Sequence, residues 1–179
     1  MRHEDAFTIV EVIVVMAIIL VLAGLILGTA GYVHNKAARS RAQAEIQAMS
    51  AGLESYKADN GIYPSDTTST DTLDAKTATP DYMKYQAASA ILYAGLSGDT
   101  NSDGQAEAKA YMTFKANQLS TTTTPFYVQD PFGSSYGYST AGQAANGGAQ
   151  TVGYNPTFDL WSTAGPSNTA GQTGWIKNW

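Results

Sequence analysis

Two groups of residues in this chain could do chemistry, and the first is a single acid, Glu11. It stands inside the apolar stretch FTIVEVIVVMAIILVLAGLILGTAG, residues 7–31. A carboxylate near one end of a lipid-buried helix costs about 3 kcal/mol on insertion scales, so it is expected to have a partner. No Lys or Arg follows within two helical turns. A cation one turn earlier would serve, and a new α-amino group on Phe7 would supply it if the chain began there. Such a group lies in the same apolar layer and could meet the Glu11 of a neighbouring copy.

The second group is the run DTNSDGQAE, Asp99 to Glu107. Asp99, Asn101 and Asp103 place side-chain oxygens at positions 1, 3 and 5 of a calcium-type loop, with Gly104 at the sharp turn. Gln105 follows at position 7 and Glu107 at position 9. Calcium takes hard oxygen ligands of this kind. Position 12 is Ala110, where such loops carry a bidentate Glu. The competing reading is a surface turn, because Asp, Asn and Gly are ordinary turn residues.

The elements that must position these groups follow from hydropathy. As a helix, 7–31 spans roughly 37 Å, enough to cross a hydrocarbon core of about 30 Å. Its length, its acidic flank and its internal Glu set it apart from a cleaved secretory signal. Gly24 and Gly28 form a small-xxx-small pair that would let helices approach closely in lipid. The helix is expected to continue past the membrane, with Ala42, Ile46, Met49, Leu53 and Tyr56 as a core-facing stripe. Asp59-Asn60-Gly61 gives the stop, with Gly61 in a left-handed cap and Pro64 beyond.

From 65 to 79 the chain is Ser, Thr and Asp and reads as a surface loop with little to bury. Pro80-Asp81 opens a second helix carrying Ala88, Ile91, Leu92 and Leu96 on one face, with Gly98 as its end. A short helix is expected over 109–119, then strands at 126–128, around Tyr136 and Tyr138, at 152–154 and at 158–162, the last before a Trp-containing tail. Residues 141–150 read as a low-complexity loop. Trp175 and Trp179 are expected to cap the core.

Bulk properties narrow the function. The net charge of −5 argues against nucleic acid, which needs clustered Lys and Arg. The chain has no cysteine, hence no disulfide, thiolate nucleophile or cysteine metal site. His3 and His34 are not placed for triad chemistry, and no G-x-S-x-G surrounds any serine, so an enzyme is not expected. The roughly 150 residues after Gly31 suffice for one domain with its own core.

The segment AFTIVEVIVVMAII resembles the class III signal of the type IV pilin superfamily. The run YKADNGIYPS is typical of the same superfamily, and DPFGSSYGY and FDLWSTAG are similar to patterns of the major pseudopilins of type II secretion. The resemblance implies an α+β, pilin-like fold, with a long N-terminal helix packed on a small antiparallel sheet. It implies a leader over 1–6, a transmembrane and filament-core helix over 7–31, an amphipathic continuation over 32–61 and a globular head over 62–179.

It further implies prepilin peptidase cleavage between Ala6 and Phe7, N-methylation of Phe7, and Glu11 as the residue that sets filament registry. The implied role is a subunit of a type II secretion pseudopilus that helps export folded proteins across the outer membrane. The alternative is a type IV pilin forming a surface fibre for adhesion or motility. Partners would be further copies of the chain, the peptidase, minor pseudopilins, the inner-membrane platform of the secretion system and the membrane itself. The head would lie in the periplasm, or outside the cell for a surface pilin. Two features depart from the family pattern: Ala6 stands where Gly is usual, and the leader MRHED is not basic. Major pseudopilins typically bind calcium in the loop after DLWS. Here that loop has no acid, so either the ion has been lost or the site is relocated to Asp99, Asn101, Asp103, Gln105 and Glu107.

Overall fold

A computed structural model describes residues 8–120, 124–145, 152–165 and 171–179. It resolves into two compact units, residues Met1–Ala37 and Ala38–Trp179. One helix, α1 (Ile9–Asn60), contributes to both.

In the first unit α1 is long and apolar enough to cross a membrane. Its described Ile, Val and Leu side chains are exposed, Leu20 at 72% and Ile9 at 79%. A helix that is apolar all round has no polar face to give to water, so its natural surroundings are lipid or other apolar helices.

In the second unit α1 becomes one-sided. Ala42, Ile46, Met49 and Leu53 are fully buried, as their alternating spacing requires, and Tyr56 is half-buried. The helix stops at Asn60. Gly61 follows with φ +82°, and its N–H reaches the Lys57 carbonyl at 2.7 Å.

The remaining chain wraps this stripe. A 3₁₀ turn, Tyr82–Tyr85, is capped by the Asp81 carboxylate and leads into α2 (Gln86–Ser97). Ala88, Leu92 and Leu96 of α2 are buried and Ile91 half-buried, with Gly98 as the left-handed cap. Three short strands follow: β1 (Gly137–Ser139), β2 (Asp159–Ser162) and β3 (Ile176–Lys177). They form an antiparallel sheet in the order β1-β2-β3. Tyr138 pairs with Leu160, and Ser162 with Ile176. A one-turn helix, α3 (Ala141–Ala144), follows β1. The main core joins the α1 stripe to Leu92, Leu96, Tyr136, Tyr138 and Leu160. A second cluster holds Tyr85, Trp161 and Trp175, with Trp179 packed against it.

Several expectations are corrected. Residues 109–119 form no α-helix, only a 3₁₀ turn at Ala116–Gln118. The N–H groups of Tyr111 and Met112 go to the Leu96 carbonyl, and those of Glu107 and Ala108 to Gly98. These donors serve the end of α2 and are lost to a helix of their own. Phe126–Val128 is no strand: Leu119 and Val128 form an isolated bridge. Residues 152–154 form bends, because the Gly153 and Tyr154 N–H groups go to Asp74 and Asp159. The last strand lies in the tail itself, at Ile176–Lys177. Residues 65–79 bury more than expected, since Thr70 and Ala75 are wholly enclosed. Thr70 bonds Asp66 and Thr140.

Candidate assembly and metal-binding sites

Of the N-terminal residues, Ala6 and Phe7 lie outside the described residues. Glu11 is described, and its partner is local. The Thr8 N–H and hydroxyl both donate to Glu11 Oε2 at 3.0 Å, while the Glu11 N–H donates to Thr8 Oγ1 at 3.3 Å. This is a reciprocal capping box: Thr8 ends the helix and Glu11, three residues on, answers it. Two otherwise orphaned N–H groups are satisfied, and the carboxylate sits at the positive end of the helix dipole. Thr8 was legible as the first residue of T-x-x-E, but attention to the acid alone missed it. The acid that the sequence left without a partner therefore has one before any second chain arrives.

The Asp99 loop comes together as its spacing requires. Asp99, Asp103 and Glu107 each offer a carboxylate oxygen, all within 4.8 Å of one another. Asp99 is 2% exposed and organises the loop. Its Oδ1 accepts from the N–H groups of Ser102 (2.7 Å) and Asp103 (3.2 Å). Its Oδ2 accepts from the Tyr93 hydroxyl (2.6 Å) and the Gly104 N–H (2.9 Å). Burial raises the Asp99 pKa, but these four donors outweigh it and hold the carboxyl below its usual range. Burial, reinforced by the same contact with Asp99, lifts Tyr93 to about 12. Gly104 sits at φ +87°, as a sharp turn at that position demands.

Asp103 and Glu107 are exposed. Asp103 accepts from Gln105 N–H and Asn101 Nδ2, and Glu107 Oε2 from the N–H and hydroxyl of Thr100. Neither acid makes an ion pair among the described residues. A carboxylate has about four lone-pair sites, so Asp99 is fully occupied while Asp103 and Glu107 keep free capacity. Asn101 Oδ1 also accepts from the Asp103 N–H at 2.9 Å. The loop is fastened to the end of α1 by the Lys109–Asp59 ion pair and by Asn60 Nδ2 to the Tyr111 hydroxyl at 3.1 Å.

A third feature escaped the sequence reading. Glu45 lies on α1 and is buried. It accepts from Tyr136 Oη at 2.7 Å, Gln118 Nε2 at 3.0 Å and Arg41 Nε at 2.8 Å. Three elements thereby meet one carboxylate. Burial, followed by the Glu45 charge, pushes the Tyr136 hydroxyl far above its ordinary pKa. Glu45 lies three residues after Ala42 and four before Met49, on the buried face by helical spacing, and only its charge disguised it as a surface residue.

The C-terminal motifs are structural. Asp130, in the DPFG turn, accepts from the Phe132 and Ser134 N–H groups at 2.9 Å each and from Ser162 Oγ at 2.5 Å. Asp159 of DLWS accepts from the Tyr154 and Asn155 N–H groups. Burial raises both pKa values.

An N-terminal apolar helix opened by a capped acid, leading into an α+β unit with a small antiparallel sheet, is a pilin-like arrangement. Residues 1–27 match the family model of the prokaryotic N-terminal methylation motif. Within that class, residues 31–99 match the model of type II secretion system protein G. The chain is similar to the type II secretion system core protein G of Vibrio cholerae, 31% identical over 48% of this chain and 59% of that protein. It is 35% identical to the protein of the same name from Aeromonas hydrophila, over 48% and 60% of the two chains. The corresponding protein of Pseudomonas aeruginosa is 36% identical over 36% and 45%. The matches to the first two relatives thus cover about three-fifths of their length. No solved structure matches the chain significantly. The similarity reported by the family model ends at residue 99, where the Asp99 loop begins.

Proposed function

We propose that this chain is a structural subunit, not an enzyme, of a type II secretion pseudopilus, the short fibre that helps drive folded proteins across the outer membrane. The observation that carries the reading is the methylation motif on a helix whose apolar surface is exposed all round. Such a helix needs lipid before assembly and other copies of itself after it. A single pass in the inner membrane, with the α+β unit in the periplasm, fits this role.

Prepilin peptidase would cut between Ala6 and Phe7 and methylate the new amino group. That cation would then compete with Thr8 for the Glu11 carboxylate of a neighbouring copy. Minor pseudopilins and the inner-membrane platform would be the further partners. The Asp99 loop would hold calcium through Asp103 and Glu107, with Asp99 joining once one of its four donors lets go. Asn101 and Gln105 would shape the loop rather than ligate.

The test is Glu11→Ala in the native host. The chain should remain in the membrane with its N-terminus at a methylated Phe7, seen by mass spectrometry, while fibres and export of folded proteins are lost. Normal fibres from Glu11→Ala would remove the acid from the assembly mechanism. Abundant wild-type fibres outside the cell, with export intact in a deletion strain, would make the chain a surface pilin instead.

A further inference from the structure

The side chains of residues 8–26 are all exposed, and from Val12 to Val33 the sequence holds no charged residue. Polar character returns at Tyr32, 72% exposed, and continues through His34, Asn35 and Lys36, all exposed. One unbroken helix joins the two ends, and about 32 Å of it separates Glu11 from Tyr32. With the ordinary tilt of roughly 20°, that length matches a hydrocarbon core of about 30 Å.

Each end suits the headgroup level for its own reason. Both Thr8 donors fall on Glu11 Oε2, and Oε1 has no partner among the described residues. In hydrocarbon that oxygen would be left unsatisfied, at a cost, whereas among headgroups water serves it. At the other end Tyr32 has an apolar ring with a polar tip, the kind of side chain that collects at membrane–water interfaces. Lys36 stands one turn further on the same face, and its long stem lets the ammonium reach a phosphate. The next two cations are engaged by the second unit: Arg39 Nη2 donates to the Gly174 carbonyl at 2.9 Å and Arg41 Nε to Glu45 at 2.8 Å. Lys36 makes no ion pair among the described residues.

We propose that Glu11 and the Tyr32–Lys36 segment mark the two faces of a phospholipid bilayer in the unassembled chain, with Lys36 on a headgroup phosphate and residues 12–31 alone crossing the hydrocarbon. This rests on the membrane reading above and fixes the depth of the helix within it. The insertion cost expected of a lipid-buried Glu11 is then avoided before assembly. It arises only when the subunit enters a fibre and Glu11 leaves the headgroups for the apolar surfaces of neighbouring copies.

The absence of cysteine makes the depth measurable. The full chain carrying one of Val12→Cys, Leu22→Cys or Val33→Cys is spin-labelled and reconstituted, at low protein-to-lipid ratio, in vesicles of phosphatidylcholine and phosphatidylglycerol. Relative collision rates with oxygen and with a water-soluble nickel chelate then read each label's depth. All three positions are exposed, so the label displaces no packing. The label at 22 should lie deepest, with those at 12 and 33 shallow and nearly level with each other. A label at 12 as deep as the one at 22 would overturn the proposal, because Glu11 would then be drawn into the hydrocarbon. As a second arm, Glu11→Leu should sink the label at 12 by about one helical turn, ~5 Å. Lys36→Glu should lift the label at 33 outward in phosphatidylglycerol-rich vesicles. Labels unmoved by both substitutions would overturn the proposal as well. Three labels all in water would overturn the membrane reading and this register together, whereas a wrong depth order leaves the membrane reading standing.

Discussion

Residues 9–26 and 42–56 are stretches of a single helix, both rich in apolar side chains, and they meet opposite fates. The first buries nothing within the chain, and the second buries Ala42, Ile46, Met49 and Leu53 completely. Distribution, not apolar content, separates them. The first stretch is apolar on every side, the second on the side that faces the core, with Gln43, Gln47 and Glu54 exposed elsewhere. A one-sided helix is stabilised by its own domain. An all-round apolar helix is left to whatever surrounds it, lipid or further copies. The acids of the two stretches differ in the same way. Glu11 is satisfied by Thr8, three residues before it, whereas Glu45 has one local partner, Arg41, and draws two more from 73 and 91 residues away, Gln118 and Tyr136.

The contrast is broken most forcefully by truncating one apolar residue in each stretch. Leu53→Ala should destabilise the second unit by about 2–5 kcal/mol, the usual cost of a cavity in a packed core. Leu20→Ala should leave its melting curve in detergent unchanged. Equal shifts for the two would mean that the first stretch also packs within its own chain.

A smaller effect is expected at the acids. Tyr136→Phe removes one donor from buried Glu45 and should cost about 1–3 kcal/mol in urea titrations. Thr8→Val should leave those titrations unaltered, since its bond to Glu11 lies outside the second unit. A silent Tyr136→Phe would reduce the Glu45 network to ornament.

Calcium sharpens the comparison from the distal end of the second stretch. At about 10 mM, and with the affinity typical of extracellular calcium modules, the ion should stabilise by about 1–3 kcal/mol. Asp103→Ala should abolish the rise in melting midpoint. A midpoint that ignores calcium in the wild-type chain retires the ion.

The weakest expected effect is one of pH. Asp66 accepts from Thr68 and Ser69, foremost from the Thr68 hydroxyl, and its carboxyl is held down to about 2. A depressed carboxylate binds fewer protons when folded. Its contribution is therefore complete above the ordinary carboxylate pKa of about 3.9 and is lost as pH falls through about 2. Asp130 has the opposite sign: its raised pKa favours the protonated folded form, so its contribution fades as pH rises out of the carboxylate range. Asp66→Ala should flatten the acid limb of a stability–pH curve. An unaltered limb would show that the Asp66 turn does not persist in solution.

Much of the fold was legible because it rests on periodicity and punctuation. The stripe from Ala42 to Leu53, the stop at Gly61, the α2 face and the strands around Tyr138 and Leu160 are all local patterns. The failures share one cause, in that a distant group claimed a local donor or acceptor. Residues 109–119 gave their N–H groups to the end of α2. The Val128 N–H went to Ser89 Oγ at 3.1 Å instead of a neighbouring strand. Thr70 was drawn inside by Thr140, 70 residues on. At the candidate sites, the spacing from Asp99 to Glu107 did foretell a convergence of carboxylates. It could not foretell that Asp99 would be saturated, because one of its donors, Tyr93, belongs to α2.

Gly137 and Trp161 face each other as partners in the β1–β2 ladder. A Cβ built on Gly137 would fall 2.0 Å from Trp161 Cε2, inside the indole. The two positions share one volume and amount to a single hereditary unit. In a lineage of such chains, residue 137 gains a side chain only where residue 161 has given up its indole. Paired substitution at these two sites, both outside the residues matched by the two family models, would then trace descent in a part of the molecule those models do not reach.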